Sequence, residues 1–463
     1  MNDKTVGRLL ALNLVLGLAF GGVLIHDLAR PSQPQYIASG DQTAVAGEQT
    51  GIDTAAGDSA AGVDTAAGGT AGDSASRGST SSGQSKSVTA PKSGPALKAG
   101  AIVFGGIYTM TGPVDSRPEA NIVKAVFQEV NASGGVHGRM LQLQARDDGW
   151  DPTRAMAEAH ELVEQEKVFA FVGNLAPNSE SAFLPYLEKV GIPVVGGLGV
   201  PEQEDKPNMF LTLTAWRKAA RMGGAPTKYI GCKKSVIWIV DLPFTKPSGD
   251  ILYDSMTKAN CQPVARPEII NSAQPDYTNY VIKARAQGAE SVIMGLDPGG
   301  IMRAVNAMAS QNWKADIVLA APSNTLIEGN LGNKIEGAFM TSIFLNPQAH
   351  PNYPGVQRYL ALQRKYYPDD FSDPYVQQSY VAAWLTVEAL KKAGPDPTWK
   401  SFVAAMNQIK NFDTGLSLPL SYSPAKHDPL DCMEVLTRKG GKWVPVIPRW
   451  LCQDGSEPPL PSD

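Results

Sequence analysis

The side chains able to do chemistry in this chain do not fall into a catalytic spacing. The five histidines are His26, His137, His160, His350 and His427, and none forms the His-Glu-x-x-His turn that sets two imidazoles and a base on one helix face. No Gly-x-Ser-x-Gly elbow presents a serine nucleophile, and no Walker loop cradles phosphate. Gly197-Leu198-Gly199 fails as a dinucleotide fingerprint, because Glu202 stands where the last glycine must let the helix pack closely. Asp147-Asp148 has the composition of an acid–base pair, but a pair standing between strand and turn more often caps or faces water. The reading is of a chain that is not an enzyme and has no cofactor and no metal.

The four cysteines, Cys232, Cys261, Cys432 and Cys452, include no Cys-x-x-Cys, and no histidine lies at metal-binding distance in sequence. An even count in an exported chain favours two disulfides. Cys232 and Cys261 precede successive predicted strands, and Cys432 and Cys452 bracket a hairpin turning at Gly440-Gly441, which favours those two pairings while three connectivities stay open.

Strand ends offer binding rather than catalysis. Asp241 and Asp297 follow predicted strands at 235–240 and 291–296, suited to a cationic or hydroxylated ligand, or to capping the next helix. Arg117 suits an anion, or is a surface charge; Trp216 and Phe244 suit apolar walls, or Trp216 packs in a hinge.

The elements that must position these residues begin with an apolar strand at 101–107 ended by Thr111-Gly112-Pro113. Val123, Val126, Phe127 and Val130 then make one helical stripe, Gly134-Gly135 stops it, and 140–146 alternates as a second strand before Asp147-Asp148-Gly149. This βαβ unit predicts a parallel sheet. Asp151-Pro152 starts the next helix, with Met156, Ala159, His160 and Val163 on one face and His160 expected as a packed core histidine. Strands follow at 168–172 and 192–195, and Ser179 is placed to cap the helix between them.

The Thr111-Gly112 loop, the Asn131-Ala132-Ser133-Gly134-Gly135-Val136-His137-Gly138-Arg139 segment and Asp147-Asp148 resemble the type I periplasmic solute-binding proteins of the branched-chain amino acid, leucine-binding group. The resemblance runs from about residue 100 to about 450. It implies an α/β fold of two doubly wound parallel-sheet lobes joined by a three-segment hinge, with ligand held in the cleft. It also implies a small-molecule ligand, an ABC permease in the membrane as partner, and a monomer. Lobe 1 would comprise 99–216 plus 341–418, and lobe 2 would comprise 217–340 plus 419–463.

Carried over residue by residue, the resemblance puts the ligand among Thr111, Asn174, Leu175, Asn178, Ser179, Leu198 and Ser323, beside Arg117, Trp216, Asp241, Phe244 and Asp297. The chain departs from the family at three places. Pro177 replaces a usual serine, Gly199-Val200 replaces an Ala-Thr pair, and uncharged Ser323 stands near the expected acid. An ordinary branched-chain amino acid is therefore not the expected ligand. A receptor that signals through a partner is the alternative function, and an extracellular hydrolase a more remote one.

Composition frames the rest. The 463 residues suffice for two or three domains, and a net charge of −4 without a basic patch excludes nucleic acid as a partner. Residues 1–30 read as a membrane anchor or signal, with Lys4 and Arg8 ahead of the uncharged stretch 9–25 and no cysteine after it for a lipid. An uncleaved anchor through 9–25 is favoured, the alternative being secretion after cleavage; either way the bulk of the chain is exported. Residues 31–98, rich in Ala, Gly, Ser and Thr with near-repeats such as Asp53-Thr54-Ala55-Ala56-Gly57, read as a disordered tether of roughly 45 Å reach.

Overall fold

The computed structural model describes residues 100–230, 233–320 and 325–461. The segments 1–30 and 31–98, Cys232 and Ser323 lie outside the described residues. Among the described residues no helix is long and apolar enough to cross a membrane.

The predicted βαβ unit forms β1 (Ile102–Tyr108), α1 (Arg117–Ala132) and β2 (Leu141–Asp147), with β1 and β2 parallel from Ile102↔Leu141 to Tyr108↔Asp147. The motif after α1 has a physical basis. Gly135 has φ +75°, and a Cβ there would sit 2.1 Å from the Arg139 carbonyl oxygen. Asn131 reaches across the turn, donating to Leu141 O and accepting from Leu141 N at 2.8 Å each, and so fixes where β2 begins.

Then come α2 (Pro152–His160), β3 (Phe171–Val172), α3 (Glu180–Val190), β4 (Val194–Val195) and β5 (Met209–Phe210), completing a parallel sheet of order β2-β1-β3-β4-β5. Asp151 caps α2 by accepting from Thr153 N at 2.7 Å. His160 corrects the expectation of a core histidine. The buried face is Ala155, Ala159 and Leu162, and His160, one residue after Ala159, turns about 100° away. Its exposed ring stacks on Tyr186 at 4.0 Å, with Nδ1 2.7 Å from Glu164 Oε1.

The chain continues through α4 (Trp216–Met222), α5 (Thr227–Ile230), β6 (Ser235–Val240), α6 (Thr245–Lys258), β7 (Glu268–Ile270), α7 (Thr278–Ala286), β8 (Ser291–Gly295), α8 (Pro298–Ser310), β9 (Asp316–Leu319), α9 (Thr325–Leu331) and β10 (Phe339–Ser342). β7 begins only at Glu268, because Pro267 has no N–H to give to the ladder. Helices α10 (Pro354–Tyr366), α11 (Pro374–Ala393) and α12 (Trp399–Asn407) pack into the core of the first sheet. The end of the chain returns to the second sheet as β11 (Cys432–Lys439), β12 (Lys442–Pro445) and β13 (Leu451–Cys452).

The second sheet has order β12-β11-β10-β9-β8-β6-β7, with β13 on β11. It is parallel from β7 to β10, and β11 adds an antiparallel edge. The β11–β12 hairpin turns at Gly440-Gly441, both with positive φ. A disulfide joins Cys432 to Cys452, which face each other across β11 and β13. Cys261 is also disulfide-bonded.

Candidate functional site

In a doubly wound sheet, a crevice opens at the carboxyl ends of the strands where the winding reverses. In the first sheet that point lies between β1 and β3, at the loops 109–116 and 173–179; in the second it lies between β6 and β8, at 241–244 and 296–297. The two ends meet: Val240, Leu242 and Phe244 pack into the same core as the first sheet, and the Trp216 and Phe244 rings lie 5.1 Å apart.

The first-sheet loops bind one another. Asp147 accepts from Met110 N at 2.8 Å, Thr111 N at 3.2 Å, Thr111 Oγ1 at 2.7 Å and Gly149 N at 3.0 Å. Burial alone would raise its carboxyl, but these donors outweigh burial and hold it below the usual carboxylate range. Asp148, fully buried, accepts from Trp150 N and from Ser179 Oγ at 2.5 Å, so Ser179 stands at the head of α3 without giving it a side-chain cap. Asn178 Nδ2 donates to Trp150 O at 2.9 Å, and exposed Arg117 is forked onto Asp115. Asn174 is buried, accepting from Ile107 N at 3.0 Å while its Nδ2 lacks a partner among the described residues. Leu175 and Leu198 are core residues.

A residue absent from the sequence-derived set controls the loop amides. Buried Glu180, in the first turn of α3, accepts from Leu198 N at 2.9 Å through Oε2 and from Ala176 N at 3.3 Å through Oε1. Donors from the loops after β3 and β4 are therefore already on an internal carboxyl. Burial dominates its titration and pushes it up to about 8 against the opposing pull of those amides, so near neutral pH it holds its proton. Glu119, buried in the first turn of α1, is raised by burial and then by Asp373, and its Oε2 has no partner among the described residues.

On the second sheet, Asp241 is exposed and Phe244 is buried. Asp297 caps α8, its Oδ1 accepting from Gly300 N at 2.9 Å, and burial raises its carboxyl. Ser323 lies outside the described residues.

Beside this junction lies an apolar cavity of about 190 Å³, walled by the second sheet, α4 and α6 and reached by a few residues that flank the first sheet. Pro374 and Tyr375, at the head of α11, and Leu213 come from the first-sheet side; Ile239, Ile293 and Val318 come from the face of the second sheet. Of the residues expected from sequence to hold a ligand, Trp216 lines it, and the disulfide-bonded Cys261 lines it as well. The other described residues expected to hold a ligand lie outside its lining, at the positions given above. The cavity had a faint sequence signal. Ala219 and Ala220 on α4, Gly223 just after it, Ser248 and Gly249 on α6, and Gly295 on β8 are small residues where helix and sheet ordinarily fill the space between them.

These features define a bilobal ligand-binding architecture, with two wound sheets whose carboxyl ends meet and an apolar cavity beside the junction. The chain belongs to the periplasmic binding protein family, whose model matches residues 101–442, and the resemblance carried by residues 111–148 holds. An amino acid binding protein of Pseudomonas aeruginosa is 24% identical over 172 residues, 36% of this chain and 46% of that protein. The match thus spans less than half of that curated relative. A solute binding protein from R. palustris solved in complex with benzoate has TM-score 0.64 and 18% identity, covering 75% of this chain and 95% of that one. A fatty acid ABC transporter substrate-binding protein from Thermomonospora curvata has TM-score 0.64 and 20% identity, covering 77% and 94%. At these identities the structural likeness is one of fold.

Proposed function

We propose that this protein captures a small molecule with an apolar body between its two lobes, closing over it, and passes it to an ABC permease. The observation that carries the reading is the apolar cavity that runs from the face of the second sheet to Leu213, Pro374 and Tyr375 beside the first. A ligand touching both lobes favours the closed arrangement by the contacts it loses on opening. The hinge would be the three passages near Trp216, 341–345 and 417–423, and residues 9–25 would hold the folded part at the outer face of the membrane.

Glu180 supports the expectation that the ligand is not an ordinary branched-chain amino acid. The amides of Leu198 and Ala176, placed to receive a ligand carboxylate, already serve the chain's own carboxyl. The names of the R. palustris and T. curvata proteins, benzoate and fatty acid, fit an apolar body better than an amino acid does.

The test is a thermal-shift screen of the full chain against amino acids, polyamines, amides, short-chain acids and aromatic acids. Ligands with an apolar body are expected to raise Tm by about 3–4 °C at a hundred times Kd, and Trp216→Ala to weaken the effect. A shift produced by leucine or valine and untouched by Trp216→Ala would overturn the reading.

A further inference from the structure

The cavity is not a chamber at the lobe junction alone. It continues behind it, along one face of the second sheet. Its floor takes alternate residues of neighbouring strands, such as Ser291, Ile293 and Gly295 on β8 beside Val318 on β9, in a register where Ser291 faces Asp316 and Ile293 faces Val318. Its roof is one face of α6, where Thr245, Ser248, Gly249, Leu252 and Met256 recur at helical spacing, together with the small residues of α4. From Ser291 to Gly295 the floor is about 13 Å long at roughly 3.3 Å per residue, and from Thr245 to Met256 the roof is about 17 Å at 1.5 Å per residue. A volume of about 190 Å³ drawn out over that length is a narrow tube.

Trp216, Thr245 and Tyr375 line the tube on the side of the lobe junction, and Asp316, paired with Lys233, lines it at the amino end of the strands. Most of its hydroxyls are turned to internal partners. Ser235 and Ser291 bond each other at 2.6 Å, Thr245 donates to Val240 O at 2.6 Å, Ser248 to Phe244 O at 3.0 Å, and Ser342 to Phe344 O at 2.7 Å. A passage whose polar groups are satisfied elsewhere holds water poorly and accepts hydrocarbon.

We infer that this tube takes the unbranched hydrocarbon chain of an amphiphile, whose polar end stays at the lobe junction. The inference rests on the proposed capture between lobes and names the ligand class for it: linear alkyl or acyl compounds rather than compact rings. A ring fills the junction but cannot enter the tube.

The test is isothermal titration calorimetry of the full chain with primary alcohols and with carboxylates of increasing chain length, from butyl to dodecyl. Kd is expected to tighten about three- to fourfold for each added methylene, the gain from burying a CH₂, in whichever head-group series binds. Gly295→Leu is expected to flatten that series. A Cβ there meets Ile239 at ordinary contact distances of 3.7 and 3.9 Å, so the backbone accepts a side chain that would cross the tube. Val318→Phe is the second obstruction, should Gly295→Leu fold poorly, and the wild-type series stands without either. Binding that ignores chain length, or increments that survive both obstructions, would overturn the tube while leaving capture between the lobes intact. Absence of binding by every alcohol and carboxylate overturns the tube as well, and absence of binding across the broader screen overturns both readings.

Discussion

Glu180 shows how a single side chain can redirect a site. Its carboxyl sits on two loop amides, yet burial keeps it protonated up to about pH 8, against 4.5 for a free glutamate. Because the folded value is raised, the unfolded chain releases this proton as pH climbs through 4.5 while the folded chain keeps it. Stability from this group is therefore full below about pH 4.5 and declines as pH rises to about 8. Glu180→Gln, which cannot ionise, is expected to reduce the slope of unfolding free energy between pH 5 and 8 by up to about one proton, read from denaturant midpoints at several pH values. An unchanged slope would show that Glu180 is ionised in the native state. Nothing in the sequence marked this residue, because the amide it holds on Leu198 lies 18 positions away and comes from a different loop. The departures at Pro177 and Val200, by contrast, were visible against the family pattern.

At the scale of elements, α4 is pinned by Lys218, which is buried and donates to Asp428 O at 2.9 Å, Leu430 O at 3.0 Å and Asp431 Oδ1 at 2.5 Å, with Asp428 Oδ2 at 2.9 Å. One ammonium thus ties the passage near Trp216 to the passage before β11. Lys218→Met would leave Asp428 and Asp431 without their shared cation, and a loss on the order of 3 kcal/mol in chemical denaturation is expected. Restoration by Asp428→Asn in the double variant would assign that loss to the stranded charge rather than to lost packing. Elements with a strong period or motif were legible. The first βαβ unit appeared with its turn, and β6 runs over the same residues, Ser235–Val240, as read from the sequence. Shorter elements were less so: Pro267 cut β7, and β3 is regular only at Phe171–Val172. The cavity was least legible, since it is made by missing side-chain volume beside α4 and α6, and a small residue does not show in sequence which neighbour leaves its space unfilled.

At the scale of the molecule, neither core is built from one continuous stretch. The first joins residues of β1 to β5 with α10 to α12 and with Trp450 and Cys452; the second joins β6 to β10 with Leu436 and Trp443. His350 and Glu434, both buried with Nε2 and Oε2 2.8 Å apart, fasten the passage after β10 to β11, and Glu434 also accepts from Asn346 N at 2.8 Å. A chain ending at residue 430 loses β11, β12 and β13 and leaves His350 without its carboxylate. It is expected to show no cooperative unfolding transition matching that of the full chain, by circular dichroism on heating. A sharp transition at the full-chain Tm would mean that β11 is dispensable.

The placement of β11 also bears on when folding can finish. Tyr422 bonds Leu211 O across 211 positions, and Lys218 reaches Asp431 across 213. Contacts of such separation form late, because the loop they close must first be ordered. A chain emerging from its N-terminus carries β1 to β10 for some time before the strand that completes the second sheet arrives. Completion of both cores thereby waits until nearly the whole chain is present, so the segment from β11 onward decides when the fold locks.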